Sequence, residues 1–112
     1  MTEETRKGPR VRSHLPVRYG YVTVDRSAVA ENISEGGLYI RTNQVLPVGS
    51  QISMEIEFPE RTVVHTGEVL WAIRVPEHLA ETMVCGMGVR FIDTVPGWSE
   101  FFARWKSGGA GS

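Results

Sequence analysis

Cysteine is almost absent from this sequence. Cys85 is the single cysteine among 112 residues, so no disulfide can form within the chain, and the composition favours a reducing compartment. No apolar run is long enough to cross a bilayer, and the first five residues, MTEET, are polar and acidic, unlike the apolar core of a signal peptide. These absences predict a soluble, cytoplasmic protein with no membrane insertion.

Catalytic signatures are missing as well. The sequence contains no HExxH, CxxC, GxxxxGK or GxSxG motif, and its histidines, His14, His65 and His78, are too scattered for a zinc site. His65 is expected to be a structural histidine inside a strand, and Cys85 a core or strand residue. We therefore predict a binding protein with no catalytic residue, metal or resident cofactor.

The chain also lacks a strong excess of either charge. Its 12 basic and 13 acidic side chains give a formal net charge of −1, whereas domains that bind nucleic acid are usually strongly basic. The charge therefore argues against a nucleic-acid polymer as partner. It disfavours a small barrel that binds single strands, although short strands and aromatic residues would suit one.

Hydrophobic alternation predicts an all-β domain with one helix. In residues 51–58, Ile52, Met54, Ile56 and Phe58 alternate with polar residues, as in a strand with one buried face. The strands predicted in this way cover residues 16–24, 28–33, 36–41, 51–58, 62–74 with a bulge or bend at Gly67, and 83–92. A helix over 96–106 presents Trp98, Phe101, Phe102 and Trp105 at helical spacing. We predict a small antiparallel barrel plugged by this helix.

The chain length suits one domain with short flanking segments. Residues 1–14 are charged and contain a Gly-Pro pair, which predicts a flexible basic arm. Residues 15–106 carry the predicted barrel and helix. Residues 107–112 are rich in glycine and serine and are predicted to form a flexible tail.

Two short motifs are the strongest candidates for binding. Arg6 and Arg10, with Lys7 between them, form RxxxR in the arm, where a solvated basic segment is the simplest interpretation. The second motif, [D/N]xSxxG, comprises Asn32, Ser34 and Gly37. On its own it is typical of a hairpin turn, in which short polar side chains bond to the backbone and glycines permit positive φ.

In this order the two motifs resemble the PilZ domain, a receptor for the bacterial second messenger cyclic di-GMP. The resemblance extends from about Arg6 to the C-terminal helix and includes the GxVxW segment 67–71 and the sequence VRF at 89–91. It implies a six-stranded antiparallel barrel with a peripheral helix. It also implies that cyclic di-GMP is the ligand and that an effector protein is the partner.

The resemblance assigns roles to particular residues. Arg6 and Arg10, assisted by Lys7, would hold phosphate and guanine, because a guanidinium can pair with phosphate oxygens and with guanine O6 and N7. Asn32, Ser34 and Gly37 would shape the guanine site. The secondary candidates are Gly36, Trp71 and Arg90. Trp71 would stack on a base if it faces outward, and core packing is its other interpretation.

One departure from the family leaves the stoichiometry open. Some PilZ domains carry an arginine directly before RxxxR, a position linked to binding an intercalated pair of ligands, whereas this chain has Thr5. The expected function is a stand-alone receptor that presents a new surface to an effector when it binds ligand. The alternative is a PilZ-like module that does not bind the nucleotide and acts through protein contacts, for example in motility or polarity.

Overall fold

The computed structural model describes residues 14–75 and 85–107. Within these ranges the chain forms strands β1 (Leu15–Gly20), β2 (Arg26–Ser34), β3 (Gly37–Arg41), β4 (Gln51–Glu57), β5 (Thr62–Ile73) and β6 (Gly86–Asp93), and then helix α1 (Trp98–Trp105). All paired strands are antiparallel, and they close into a barrel in the order β1-β2-β3-β6-β5-β4. The predicted six-stranded barrel with a C-terminal helix is confirmed.

Alternation along the strands fills the barrel interior. Ile52, Met54 and Ile56 of β4 point inward and are almost completely buried, while the residues between them lie on the outside. The other strands contribute Val17, Tyr19, Ala30, Ile33, Leu38, Ile40, Val63, Val69, Met87 and Val89. The single cysteine, Cys85, is buried at the start of β6.

Helix α1 closes one end of the barrel. Trp98, Phe101 and Phe102 are buried there. Phe58, directly after β4, contacts Trp98, Phe101 and Trp105 with ring centroids 4.8 to 5.8 Å apart. The predicted aromatic stripe therefore plugs the barrel. In the ranges that the structure describes, no helix combines the length and apolar character needed to cross a bilayer.

The loop between β3 and β4 covers the opposite end. Val45 and Leu46 are buried, and the Leu46 amide donates to the Met87 sulfur at 3.4 Å. The hydroxyl of Tyr19, which lies inside the barrel, donates to the Gln44 carbonyl at 2.8 Å. Among the described residues, α1 therefore covers one end of the barrel and this loop covers the other.

The first strand is shorter than predicted. The apolar pattern suggested a strand to residue 24, but β1 ends at Gly20, and Tyr21 and Val22 are exposed. The chain reverses so tightly that a Cβ on Gly20 would lie 1.8 Å from the Thr23 carbonyl oxygen. Arg26 and Ser27, which lie between the first two predicted strands, begin β2 and pair with β1.

Candidate ligand-binding site on the barrel wall

The residues of the second motif lie at a tight turn between β2 and β3. Glu31 pairs with Tyr39 and Ser34 with Gly37, and the register shifts between these two pairs, which defines a bulge. Asn32 lies in this bulge with φ of 53°. Asparagine tolerates this left-handed conformation better than most residues. Gly36 and Gly37 would permit a positive φ, but within this turn the positive φ is found at Asn32.

Ser34 closes the turn with its side chain. Its hydroxyl accepts from the Gly36 amide and donates to the Gly37 carbonyl, both at 3.3 Å, and the residue is only 5% exposed. The predicted contribution of Ser34 to a structural turn is confirmed. A hydroxyl oxygen has two lone pairs, so one of them is not used by these two bonds.

The two glycines of the motif pack against β6. A Cβ on Gly37 would lie 2.3 Å from the Val89 carbonyl oxygen, and the Gly36 carbonyl accepts from the Phe91 amide at 2.8 Å. The family resemblance assigns Gly37 to the residues that shape the guanine site. In the structure Gly37 is buried, and its missing side chain lets β3 and β6 approach.

Glu35 attaches the turn to helix α1. The indole nitrogen of Trp98 donates to the Glu35 carbonyl at 2.9 Å, and the Ser99 hydroxyl donates to the Glu35 carboxylate. Because Trp98 is 3% exposed, the hydrogen bond to its indole is shielded from water on the helix side. The turn is therefore held by the helix at one side and by β6 at the other.

A row of outward-facing residues crosses the wall beside this turn. Glu31 of β2 pairs with Tyr39 of β3, Tyr39 pairs with Gly88 of β6, and Gly88 pairs with Trp71 of β5. The Tyr39 and Trp71 rings stack, with centroids 5.4 Å apart and planes inclined by 23°. Trp71 is 41% exposed, so it faces outward, and its interpretation as a core residue is wrong.

Two glycines of β6 make room for these rings. A Cβ on Gly86 would lie 2.1 Å from the Tyr39 hydroxyl oxygen, and one on Gly88 would lie 2.3 Å from the Trp71 indole nitrogen. The rings therefore rest on bare backbone. Aromatic side chains thus approach the backbone of β6 closely at both glycines.

Ion pairs flank the two rings. The Glu31 carboxylate lies 3.1 Å from the Arg41 guanidinium and 3.0 Å from the His14 imidazole, and the Arg90 guanidinium pairs with the Glu68 carboxylate. Burial, with a smaller contribution from the negative charge of Glu31, raises the pKa of the Tyr39 hydroxyl. Arg41 and Arg90 are both exposed, but the Glu31 side chain that pairs with Arg41 is only 12% exposed. The Arg90–Glu68 pair lies at the surface, where such pairs are worth only about 0–1 kcal/mol, so an anionic ligand can compete for Arg90.

The comparisons with known proteins fit this geometry. The sequence profile of the PilZ domain matches residues 4–97. This chain belongs to the PilZ family. Its fold is similar to that of the Bacillus subtilis inhibitor of motility (MotI/DgrA), with a TM-score of 0.74 and 17% identity over 91% of this chain and 49% of that one. The chain thus spans about half of that structure. No curated protein matches the sequence.

The described residues include one of the two PilZ motifs. Asn32, Ser34, Gly36 and Gly37 come together at one turn, next to the wall that carries Trp71 and Arg90. The RxxxR residues, Arg6, Lys7 and Arg10, lie outside the described residues, as do most of the predicted arm and tail and the first residues of the predicted last strand.

Sequence reasoning missed three residues of this wall. Tyr39, Arg41 and Glu31 were not singled out, although the sequence contained a usable signal. In β3, Leu38 and Ile40 are apolar and buried, and strand alternation then places Tyr39 and Arg41 on the outer face. Glu31 could be recognised only from its partners across the strands.

Proposed function

We propose that this PilZ domain is a receptor for cyclic di-GMP. The observation that carries the proposal is the single turn that gathers Asn32, Ser34 and Gly37 at the edge of an outward wall with exposed aromatic and arginine side chains. The family membership supports it. The ligand has two guanines and two phosphates, so flat rings, hydrogen-bonding edges and negative charge must all be accommodated.

Each group of motif residues has a distinct part in this proposal. The Asn32 amide oxygen accepts from the N–H groups of a guanine edge, and the Ser34 hydroxyl adds a polar contact. Arg6 and Arg10, assisted by Lys7, bind phosphate oxygens and guanine O6 and N7. Arginine suits both halves of the ligand, whereas lysine offers only a point charge.

The proposed receptor acts through another protein, not through catalysis. We assign it no cofactor and no enzymatic step, place it in the cytoplasm, and assign the output to an effector protein that distinguishes the ligand-bound form. The second candidate is an interaction module that has lost nucleotide binding. The hydrogen bonds that already engage Ser34 within its turn favour this candidate.

Calorimetric titration of the full chain with cyclic di-GMP separates the two candidates. The receptor proposal expects saturable binding, and its stoichiometry shows whether one ligand or an intercalated pair is bound. Arg10→Ala should weaken binding by about 1.5–3 kcal/mol, the usual range for a hydrogen bond to a charged group. The matched control is Arg18→Ala, since Arg18 pairs with Glu55 on the β1–β4 wall, away from the turn. Absence of binding by the wild type would favour the interaction module.

Cyclic di-AMP provides a test of base recognition. Adenine presents an N6 donor where guanine presents the O6 acceptor, and it lacks the N2 donors. A site built on hydrogen bonds rejects such a mismatch strongly, because its polar groups are left unpaired. We therefore expect much weaker binding of cyclic di-AMP in a competition titration. Equal affinities would mean that the protein reads only the phosphate charge.

A further inference from the structure

The last residue of the predicted arm, His14, contacts the wall next to the motif turn. Its imidazole Nε2 lies 3.0 Å from the carboxylate of Glu31, the residue directly before Asn32. We infer that Glu31 is a positioning residue of the binding site, which holds the base of the arm against the wall through His14 and so keeps Arg10 near the motif turn. This inference rests on the proposed receptor function.

Strand pairing is the first argument. β1 pairs with β4 from Val17 onward, but it already pairs with β2 from Leu15 onward. Since Leu15 lies opposite Ala30, the next position of the antiparallel register places His14 opposite Glu31. The ion pair therefore continues the β1–β2 pairing by one residue. It also places the start of the described chain on the β2 side of β1, which is the side that carries the motif turn.

The surroundings of the Glu31 carboxylate are the second argument. Its side chain is only 12% exposed and is also held by the Arg41 guanidinium at 3.1 Å. Among the described residues, its buried Oε2 has no hydrogen bond of good geometry, so its two contacts depend on charge.

His14 is the partner of Glu31 that changes its charge near neutral pH. Of the other charged and titratable groups that the structure describes, Arg41 and the Tyr39 hydroxyl face the carboxylate, both from β3. A guanidinium stays protonated, and burial raises the pKa of the Tyr39 hydroxyl from its ordinary value of 10.0. The imidazole, in contrast, is charged only if it is protonated, and histidine gains its proton as the pH falls from 8 to 5.

Chain reach is the third argument. Arg10 lies outside the described residues, but it precedes His14 by four positions in the sequence, and four residues of extended chain span at most about 14 Å. Anchoring His14 to Glu31 therefore restricts the volume that is open to the proposed ligand-binding arginine. A restricted segment loses less entropy when it binds, so the affinity for the ligand rises without any new contact to it.

The test measures the Kd of the full-length protein for cyclic di-GMP by calorimetric titration at pH 6 and pH 8. The wild type should bind about 2- to 5-fold more tightly at pH 6, the effect of strengthening one exposed ion pair. His14→Gln should abolish this difference. His14→Lys has a charge that persists over this range, so at pH 8 it should bind about as tightly as the wild type does at pH 6.

Two glutamate variants form a matched pair. Glu31→Gln should bind with the same Kd at both pH values, because the amide does not attract a protonated imidazole. Glu55→Gln should keep the wild-type difference, since Glu55 pairs with Arg18 on the β1–β4 wall, away from the turn. His14 is exposed, so its variants should fold, and they decide the test if Glu31→Gln does not fold.

Proton uptake separates positioning from a merely structural role of Glu31. If protonation of His14 tightens binding, binding must by reciprocity favour protonation, so titration at pH 7 in two buffers of different ionisation heat should show proton uptake by the wild type and less by His14→Gln. If the wild type binds equally well at both pH values, or if His14→Gln keeps the difference, Glu31 is not a positioning residue and the receptor proposal still stands. If the wild type binds at neither pH, both proposals fail.

Discussion

The domain uses aromatic side chains in two different places, and the two places behave differently. At the α1 end of the barrel, the rings of Phe58, Phe91, Trp98, Phe101 and Phe102 contact one another and are buried. On the outer wall, Tyr39 and Trp71 stack on each other over two glycines and remain partly exposed. The first group holds the helix to the barrel, and the second group presents a surface.

The comparison shows that surroundings, not residue type, decide what an aromatic side chain does. Trp98 and Trp71 are the same residue, yet the Trp98 indole donates to the Glu35 carbonyl and is 3% exposed, whereas Trp71 is 41% exposed. Burial of large rings stabilises the fold, while exposed flat rings offer stacking to a ligand. The following predictions test this division, beginning with the largest effect.

Removal of a ring from the α1 end should have the largest effect on stability. Phe101→Ala should lower the free energy of unfolding by about 3–5 kcal/mol, because the ring is buried against Phe58 and Trp98 and leaves a cavity. Trp71→Leu should lower it by only about 1 kcal/mol, the value of an aromatic pair. Urea denaturation measures both, and Glu100→Gln, an exposed neighbour on α1, serves as control. Equal losses for Phe101→Ala and Trp71→Leu would contradict the distinction between the buried rings at the α1 end and the partly exposed rings on the outer wall.

His65 should make the α1 end sensitive to acid. Its Nδ1 accepts from the Val95 amide at 3.3 Å, and its Nε2 finds no hydrogen-bond partner among the described residues. Burial between Phe91 and Trp98 lowers the pKa of the imidazole from 6.5 to about 4. The unfolded chain therefore binds the proton more tightly, and stability falls as the pH drops from about 6.5 towards 4.

The loss from His65 should reach about 2 kcal/mol at pH 5 relative to pH 7. His65→Phe keeps an aromatic ring but cannot titrate. Between pH 7 and pH 5, the free energy of unfolding of this variant should therefore fall by about 2 kcal/mol less than that of the wild type. Urea denaturation at both pH values measures the difference. An unaltered pH dependence in His65→Phe would contradict the assignment.

Ser34 should have the smallest effect on stability, while still affecting binding. Ser34→Ala removes two hydrogen bonds of the turn, both long at 3.3 Å, so each is expected near the lower end of the usual range of about 0.5–1.5 kcal/mol. We therefore expect a loss of about 1 kcal/mol and weaker binding of cyclic di-GMP. Thermal unfolding and calorimetry measure the two effects separately. Unchanged affinity in a folded Ser34→Ala protein would show that the hydroxyl belongs to the turn alone.

The sequence was informative where one face of an element is buried. The alternation of residues 51–58 and the helical spacing from Trp98 to Trp105 each predicted an element within one or two residues of its observed bounds. The bulge predicted at Gly67 is confirmed by the shift in pairing between Thr66 and Gly67. In these cases burial of one face fixes the conformation, so the spacing of apolar residues predicts the element.

The sequence was less informative where contacts between strands determine the conformation. The alternation from Val17 continues to Thr23, but β1 ends at Gly20 because the chain folds back there. The outward orientation of Trp71 depends on the second register shift in β5, between Val69 and Trp71, which periodicity does not reveal. The positive φ at Asn32 likewise follows from the shift against β3, although two adjacent glycines appeared better suited to it.

The central claim is that cyclic di-GMP binds at the outer wall of the barrel. The indole N–H signals in a nitrogen–hydrogen correlation spectrum test it most directly, since the chain has 3 tryptophans. Trp71 lies on the outer wall, Trp98 adjoins the turn through Glu35, and Trp105 lies at the α1 end. Phenylalanine substitutions assign the three signals. We predict that saturating cyclic di-GMP shifts the Trp71 signal most and leaves the Trp105 signal in place. Movement of Trp105 with Trp71 unchanged, or no movement of any indole signal, would contradict the account.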